Sequence, residues 1–429
     1  MRRFVLAAAF LLIVGPASAQ GLLGDDGFLG SGGLLRSSDG DDAKGVVDAD
    51  EDRLTLGGFI HADAIFFEQD ALSRETIGDV QDVGNFRRAR IIASGSISEN
   101  VDYRFGLDFG GPGRPSFLDT WFDVALLGDK GSEEDVWVAR VGRFKVPQGM
   151  ATLEASTDLT FLERATPTTF VPFRQAGAML FGTYGDRAGT VRVAGYRYPA
   201  NVFGAVAGDA GYGAAGRTSL ALGNATEGEG QLLHMAISGS TQQPNDNVLR
   251  FTATPGVGFN ELDFRTDATP VPAFADTGSF AADGLSILGG EVAYALGPVL
   301  FRGEVIAADV RTPSGRASLG GWYAETSWAV TGEARGYNRL IGVFKGLEPA
   351  TAVGAGGTGA IELAARYDTV TLTDGPVTGG RLRNVTLGVN WVPVQRLKIQ
   401  TNVVFSGLDE SPADGGESVI AAVRAQFVF

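Results

Sequence analysis

From residue 53 onward the chain alternates: apolar residues take every second position over short stretches separated by turn-forming residues. In Val101-Asp102-Tyr103-Arg104-Phe105-Gly106-Leu107-Asp108-Phe109, every odd position is apolar and every even one is charged or Gly. Period two puts the two classes on opposite faces of a strand. The preceding stretch repeats it, with Ala89, Ile91, Ala93, Gly95 and Ile97 opposed to Arg88, Arg90, Ser94, Ser96 and Ser98, and Ile92 as the single apolar exception. Leu118–Leu126, Ile361–Asp368, Val385–Trp391 and Leu397–Phe405 follow the same rule. The chain holds about 15 to 18 such stretches of roughly ten residues, the length that crosses an outer membrane when tilted. Even strand numbers in bacterial single-chain barrels make sixteen the expectation.

A soluble sandwich would alternate in the same way, so further features must decide. Aromatic residues stand near candidate strand ends (Phe66-Phe67, Trp121-Phe122, Trp322-Tyr323 and Trp391), as interfacial girdles would. The polar parities are charged repeatedly, which suits a wet lumen better than a packed sandwich interior. The chain ends on an amphipathic strand, Val419–Phe429, with a terminal aromatic like the signal used in outer-membrane barrel assembly. The expected fold is an all-β, transmembrane antiparallel β-barrel over residues 53–429, placed in the outer membrane among its lipids.

The termini agree. Arg2 and Arg3 precede an apolar run Phe4–Val14 and a small-residue site Ala17-Ser18-Ala19, which reads as a secretory signal over 1–19. That run is too short to span a bilayer as a helix, and no later apolar stretch reaches about 18 residues. The net charge of −15 is uneven: residues 20–52 hold nine acidic and two basic side chains. This Gly- and Asp-rich segment lacks an apolar period and reads as a flexible leader. Mean hydropathy of +0.06, 62 Gly and no Cys fit many short strands and remove disulfide and thiolate chemistry.

No catalytic residue, metal site or cofactor is expected. Gly354-Ala355-Gly356-Gly357-Thr358-Gly359 matches a dinucleotide fingerprint by letter, but a strand pattern follows it where a helix is required. His61 beside Asp63 invites a barrel hydrolase, yet no serine neighbourhood supports one, and a hydrogen-bonded lumen pair is the simpler reading. Nothing points to nucleic acid. One long interruption, about 146–174, breaks the period with Pro147, Pro167 and Pro172 and adds Glu154, Asp158, Glu163, Arg164 and Arg174. Coming after about five strands, it is expected to fold into the lumen as a constriction loop. The connections 199–216 and 239–284 read as extracellular loops of no decipherable chemistry.

Thirty of the 35 basic residues are Arg, whose planar fork binds oxyanions two bonds at a time. Arg at the lipid midplane costs about 2–4 kcal/mol, so Arg88, Arg90 and Arg104, at polar parities of two consecutive strands, should face the lumen. Arg87 shares the lipid parity and needs the rim or a bulge. Arg143 and Lys145 share a face while Arg140 falls on the other, a parity conflict at the start of that strand.

Taken in order, Phe86-Arg87-Arg88-Ala89-Arg90, Tyr103–Phe109, Arg140–Gly149, Phe161-Leu162-Glu163-Arg164-Ala165, Glu362–Asp368 and Asn384–Trp391 resemble the phosphate-selective porin O and P family, over about residues 57–429. The resemblance implies a sixteen-stranded porin, a homotrimer, with Arg and Lys lining an anion path. Carried over by motif, Arg87 and Arg88 would be the paired arginines of that path and Lys145 the lysine near its narrowest point. Asp123, with Asp119 close behind, would be the acidic member. The expected activity is passive diffusion of small anions, phosphate the best single guess, past Arg88, Arg90, Arg143 and Lys145. The rivals are a general, weakly selective porin, favoured by inward carboxylates such as Asp102 and Asp108, and a non-conducting structural barrel.

Overall fold

In the computed structural model the described residues are 54–429, except 112, 129, 131–133, 202, 206–207, 209–210, 225–229, 259–270 and 411–414. The expected signal, 1–19, and leader, 20–52, lie outside them. Sixteen antiparallel strands close into a barrel. They are β1 (Thr55–Gln69), β2 (Val83–Ser98), β3 (Val101–Asp108), β4 (Ser116–Leu127), β5 (Trp137–Lys145), β6 (Arg174–Tyr184), β7 (Gly189–Arg197) and β8 (Tyr212–Gly223), then β9 (Gln231–Gln243), β10 (Gly284–Leu296), β11 (Val299–Thr312), β12 (Gly315–Ala329), β13 (Ala360–Asp374), β14 (Val377–Val394), β15 (Leu397–Asp409) and β16 (Glu417–Val428). Each strand pairs with its sequence neighbours, and β1 closes on β16 from Phe59 opposite Val428 to Gln69 opposite Ser418. Closure leaves no edge, the condition for backbone in hydrocarbon.

The alternation does what the pattern requires. On β3, Phe105 is exposed outward while Arg104 and Asp108 are buried inside; on β13, Leu363 faces out while Glu362, Arg366 and Asp368 face in. The outer wall carries Ile91, Val141, Val193, Ile237, Leu288 and Val305 exposed, an apolar belt suited to lipid. The aromatic girdle is only partly as expected. Phe122 and Trp322 face outward, but Trp121 and Tyr323 are buried inside: Arg140 lies 3.8 Å from the Trp121 ring, and Tyr323 Oη donates to Glu304 at 2.6 Å. Their parity, shared with Asp119 and Asp123 on β4 and with Glu325 on β12, explains the difference.

Turns after even-numbered strands are mostly short, the periplasmic pattern. Gly297, at φ 51°, opens one of the two-residue turns, with Leu296 opposite Val299, and takes a left-handed conformation that glycine adopts without strain. Two long connections depart from the wall and meet in the lumen, and a third, between β9 and β10, packs Phe251 against Phe170 of the first. The first, 146–173 between β5 and β6, carries one helical turn (Met150–Leu153) and a 3-10 turn (Thr166–Phe170), and nearly all of it is buried. The constriction-loop expectation holds. The second, 330–359 between β12 and β13, enters from the opposite end through a small hairpin, Tyr337-Asn338 against Val343-Phe344. Ile341 and Phe344 pack with Met150 and Leu153 of the first, so the two segments meet inside the barrel.

Candidate functional site: the arginine cluster on the inward loop

A bulge decides the placement of Arg87. Between β1 and β2, His61 pairs with Arg88 and Ala62 with Phe86, so Arg87 is the extra residue. An extra residue shifts one side chain across the sheet. Phe86 is left 64% exposed toward lipid, while Arg87 and Arg88 are 2% and 0% exposed inside.

Both guanidinium groups converge on Glu163 of the inward loop. Glu163 Oε1 accepts from Arg87 Nε at 3.0 Å and Arg88 Nη1 at 3.2 Å, and Oε2 accepts from Arg88 Nη2 at 2.8 Å. Arg424 of β16 adds a third donor at 2.8 Å and grips Asp63 of β1 with two bonds of 2.7 and 2.6 Å. Burial alone would raise the Glu163 carboxyl, but Arg87, Arg88 and Arg424 hold it well below the usual carboxylate range. His61 lies beside this cluster, its Nδ1 3.4 Å from Arg88 Nη1. Gly258, in the connection between β9 and β10, offers its carbonyl to Arg87 at 3.2 Å. That connection therefore reaches the site, a correction to its reading as an external loop without chemistry.

The other predicted residues fall into two groups. Arg90 and Lys145 join the inward loop. Arg90 donates to Asp108 at 2.7 Å and to Ser156 Oγ at 3.1 Å, while Lys145 Nζ donates to the carbonyls of Leu153 and Glu154 at 3.2 and 3.0 Å. Arg104, Asp123 and Arg143 stay against the wall, away from Glu163. Arg104 is buried opposite Trp121; Arg143 Nε donates to Phe117 O at 3.1 Å; Asp123 is clasped by Arg140 at 2.6 and 2.8 Å and by Lys130 at 2.9 Å. The parity conflict on β5 persists in the structure: its pairing runs unshifted through Gly142, whose φ is 140°, so Arg140 keeps the face of Asp123 and Arg143 that of Thr120. Beyond that residue Arg143, Phe144 and Lys145 are all buried; Phe144 shares a core cluster with Leu162 and Val171 of the inward loop and Lys145 bonds its carbonyls, whereas Arg143 lies beside Phe117 O.

Several functional side chains escaped the sequence reading. Glu163 was visible as a charge in the loop, but its partner Arg424, which also grips Asp63 of the first strand, lies on the last strand, and the two strands adjoin only once the barrel closes. Lys398 donates to Thr157 O and Leu159 O at 2.6 and 3.1 Å, and Arg302 holds Glu154 at 2.9 Å. Parity on β15 and β11 would have found both. A small space remains between the loop and the far wall, lined by Glu154, Arg302, Glu325 and Arg366 among others.

A sequence profile described as phosphate-selective porin O and P matches residues 54–429. The chain belongs to that family. It is an outer-membrane porin, not an enzyme. A protein of Caulobacter vibrioides, described as uncharacterized, is 35% identical over 96 residues, 22% of this porin and 19% of the relative. The matched stretch thus spans about a fifth of that relative. An anion-selective porin from Comamonas acidovorans has a similar fold, at TM-score 0.52 and 13% identity, over 88% of this chain and 100% of that one. Pseudomonas putida OprB is similar at TM-score 0.51 and 8% identity, over 88% and 94%. OmpT of Vibrio cholerae, in trimer form, is similar at 0.50 and 9%, over 89% and 100%. At such identities these likenesses establish the barrel fold.

Proposed function

We propose that this porin passes small anions by diffusion, with phosphate the best single candidate, and that it works as a homotrimer. The observation that carries the reading is the crowding of cationic side chains where the inward loop meets the wall. Arg87, Arg88, Arg90, Lys145, Lys398 and Arg424 all contact residues 153–163. Carbonyl partners, as at Lys145 and Lys398, orient an ammonium group without cancelling its charge. A permeating oxyanion exchanges part of its hydration shell for such donors, provided no single site holds it too strongly. The family and the anion selectivity named for the Comamonas porin support the same reading. Assembly of the Vibrio OmpT as a trimer supports the oligomer.

One observation favours the weakly selective alternative. Arg90, Arg174 and Arg140 are paired with Asp108, Asp119 and Asp123, so much of the wall is locally neutral. Reconstitution in a planar bilayer separates the two. A reversal potential in a potassium chloride gradient that favours chloride, with phosphate blocking the chloride current and the block weakened in K145A, supports anion specificity. Cation-leaning or phosphate-insensitive conductance leaves the general porin.

A further inference from the structure

Guanidinium groups gathered on one carboxylate form the arrangement that captures a small oxyanion, because planar forks match its two oxygens. In this barrel the captured group belongs to the chain itself. Arg87 and Arg88 stand on β2 and Arg424 on β16, anchored by the wall, whereas Glu163 reaches them from the inward loop. All three guanidinium groups bond the same carboxylate, at 2.8 to 3.0 Å for their shortest contacts. Each of the four residues is at most 2% exposed, so neither water nor salt screens the cluster as it would at a surface.

We propose that Arg87, Arg88 and Arg424 form an oxyanion socket whose resident ligand is Glu163, and that this tethered carboxylate sets how tightly the constriction holds a passing anion. Without Glu163, the three guanidinium groups would lose the carboxylate they share, Arg424 keeping Asp63, and an entering anion would be held, not passed. A conducting channel needs the opposite, sites weak enough to release. Glu163 meets that need by filling the strongest position with a group that cannot leave. Once vacated, the socket takes a small monocarboxylate such as formate, whose planar pair of oxygens replaces the missing one. The socket stands on the geometry alone; its effect on permeation rests on the anion-channel reading above.

Two measurements test the two parts separately. First, the temperature at which the detergent-solubilised barrel loses its folded gel mobility is measured for wild type and E163A. Each is titrated with sodium formate and, at matched ionic strength, with sodium chloride. Wild type should respond alike to both salts. E163A should be restabilised saturably by formate at concentrations about tenfold below those at which chloride has the same effect, since bidentate charge-assisted bonding favours the carboxylate. R88Q/E163A should lose that preference. An E163A that responds alike to both salts overturns the socket; should E163A not assemble, its refolding yield is titrated instead, and a yield without preference for formate overturns it equally. Second, E163Q keeps the side-chain shape and removes the charge, and should raise the chloride-to-potassium permeability ratio about twofold or more over wild type. An unchanged ratio overturns the role in permeation. A cation-leaning wild type defeats the anion-channel reading and leaves the formate titration to decide the socket.

Discussion

Two segments enter the lumen from opposite ends, and they are held by different chemistry. The 146–173 loop brings its own formal charges inward: Glu154 and Glu163 are buried with it, and the wall answers with Arg302 for the first and Arg87, Arg88 and Arg424 for the second. The 330–359 segment offers mainly backbone. Its carbonyls at Leu340, Ile341 and Gly342 accept from Arg192 and Arg217 of the wall at 2.9 to 3.0 Å. Its charged contributions include Arg335, held by Glu362 at 2.8 and 3.0 Å, and Arg339, which donates to the carbonyls of Arg187 and Ala221. Burying a charge requires a partner charge, whereas burying a carbonyl requires only a donor. The first segment is therefore pinned by buried charge pairs in addition to carbonyl bonds such as those from Lys145 and Lys398, and the second mainly by bonds that can be lost one at a time.

The largest expected effect breaks a charge pair of the first segment. Arg302 bonds both Glu154 oxygens at 2.9 Å and also pairs with Glu325. R302A leaves Glu154 buried without that cation, a situation that costs about 3–5 kcal/mol. The temperature of folded-mobility loss should fall accordingly. R302A/E154Q, which leaves Glu325 but not Glu154 charged without Arg302, should be more stable than R302A alone. A double variant no better than the single one would break the contrast between charge-held and carbonyl-held segments.

A smaller, local effect is expected in the second segment. R192A removes the donor to Leu340 O at 3.0 Å and the guanidinium 4.7 Å from the Phe181 ring. A hydrogen bond to a charged group is worth about 2 kcal/mol. Hydrogen exchange should quicken at amides 337–344 while amides 150–166 stay protected. Equal loss of protection in both would show that the two segments form one cooperative unit.

How much of this was legible follows from the same contrast. Period two revealed the strands and the inward faces of Arg88, Arg90 and Arg104, because in a barrel a side chain's face is fixed by its position alone. The first inward segment was legible too, since Pro147, Pro167 and Pro172 interrupt the alternation and charges crowd it. The second was not: residues 330–359 are rich in Gly, Ala and Thr, and a chain held by its carbonyls leaves no mark in its side chains. Asp123 illustrates the limit of parity. It faces inward as expected, yet its partners are Arg140 and Lys130, not the paired arginines, because parity gives the face of a strand and not the height along it. The Arg424–Glu163–Arg88 cluster lay beyond reach for a further reason. It joins the first hairpin, the last strand and a central loop, and only the closed register brings them together.

The smallest expected effect is that of acidification, and its size separates a charge-held loop from a loop held by packing. The groups facing Glu163 are Arg87, Arg88 and Arg424, with Asp63 sharing Arg424 and His61 beside Arg88. Its folded pKa lies well below the ordinary value, burial raising it but the three arginines outweighing burial. An unfolded glutamate titrates near about 4.3, so the stabilisation is fully present above that pH and is lost only as pH falls through the lower, folded value. Between pH 8 and 5, hydrogen exchange at amides 158–168, corrected for its intrinsic pH dependence, should stay constant. Loss of protection within that window would mean that the carboxylate is not what pins the loop. Loss only at stronger acid, accompanied by release of the loop before the barrel itself unfolds, would tie the constriction to this one charge cluster.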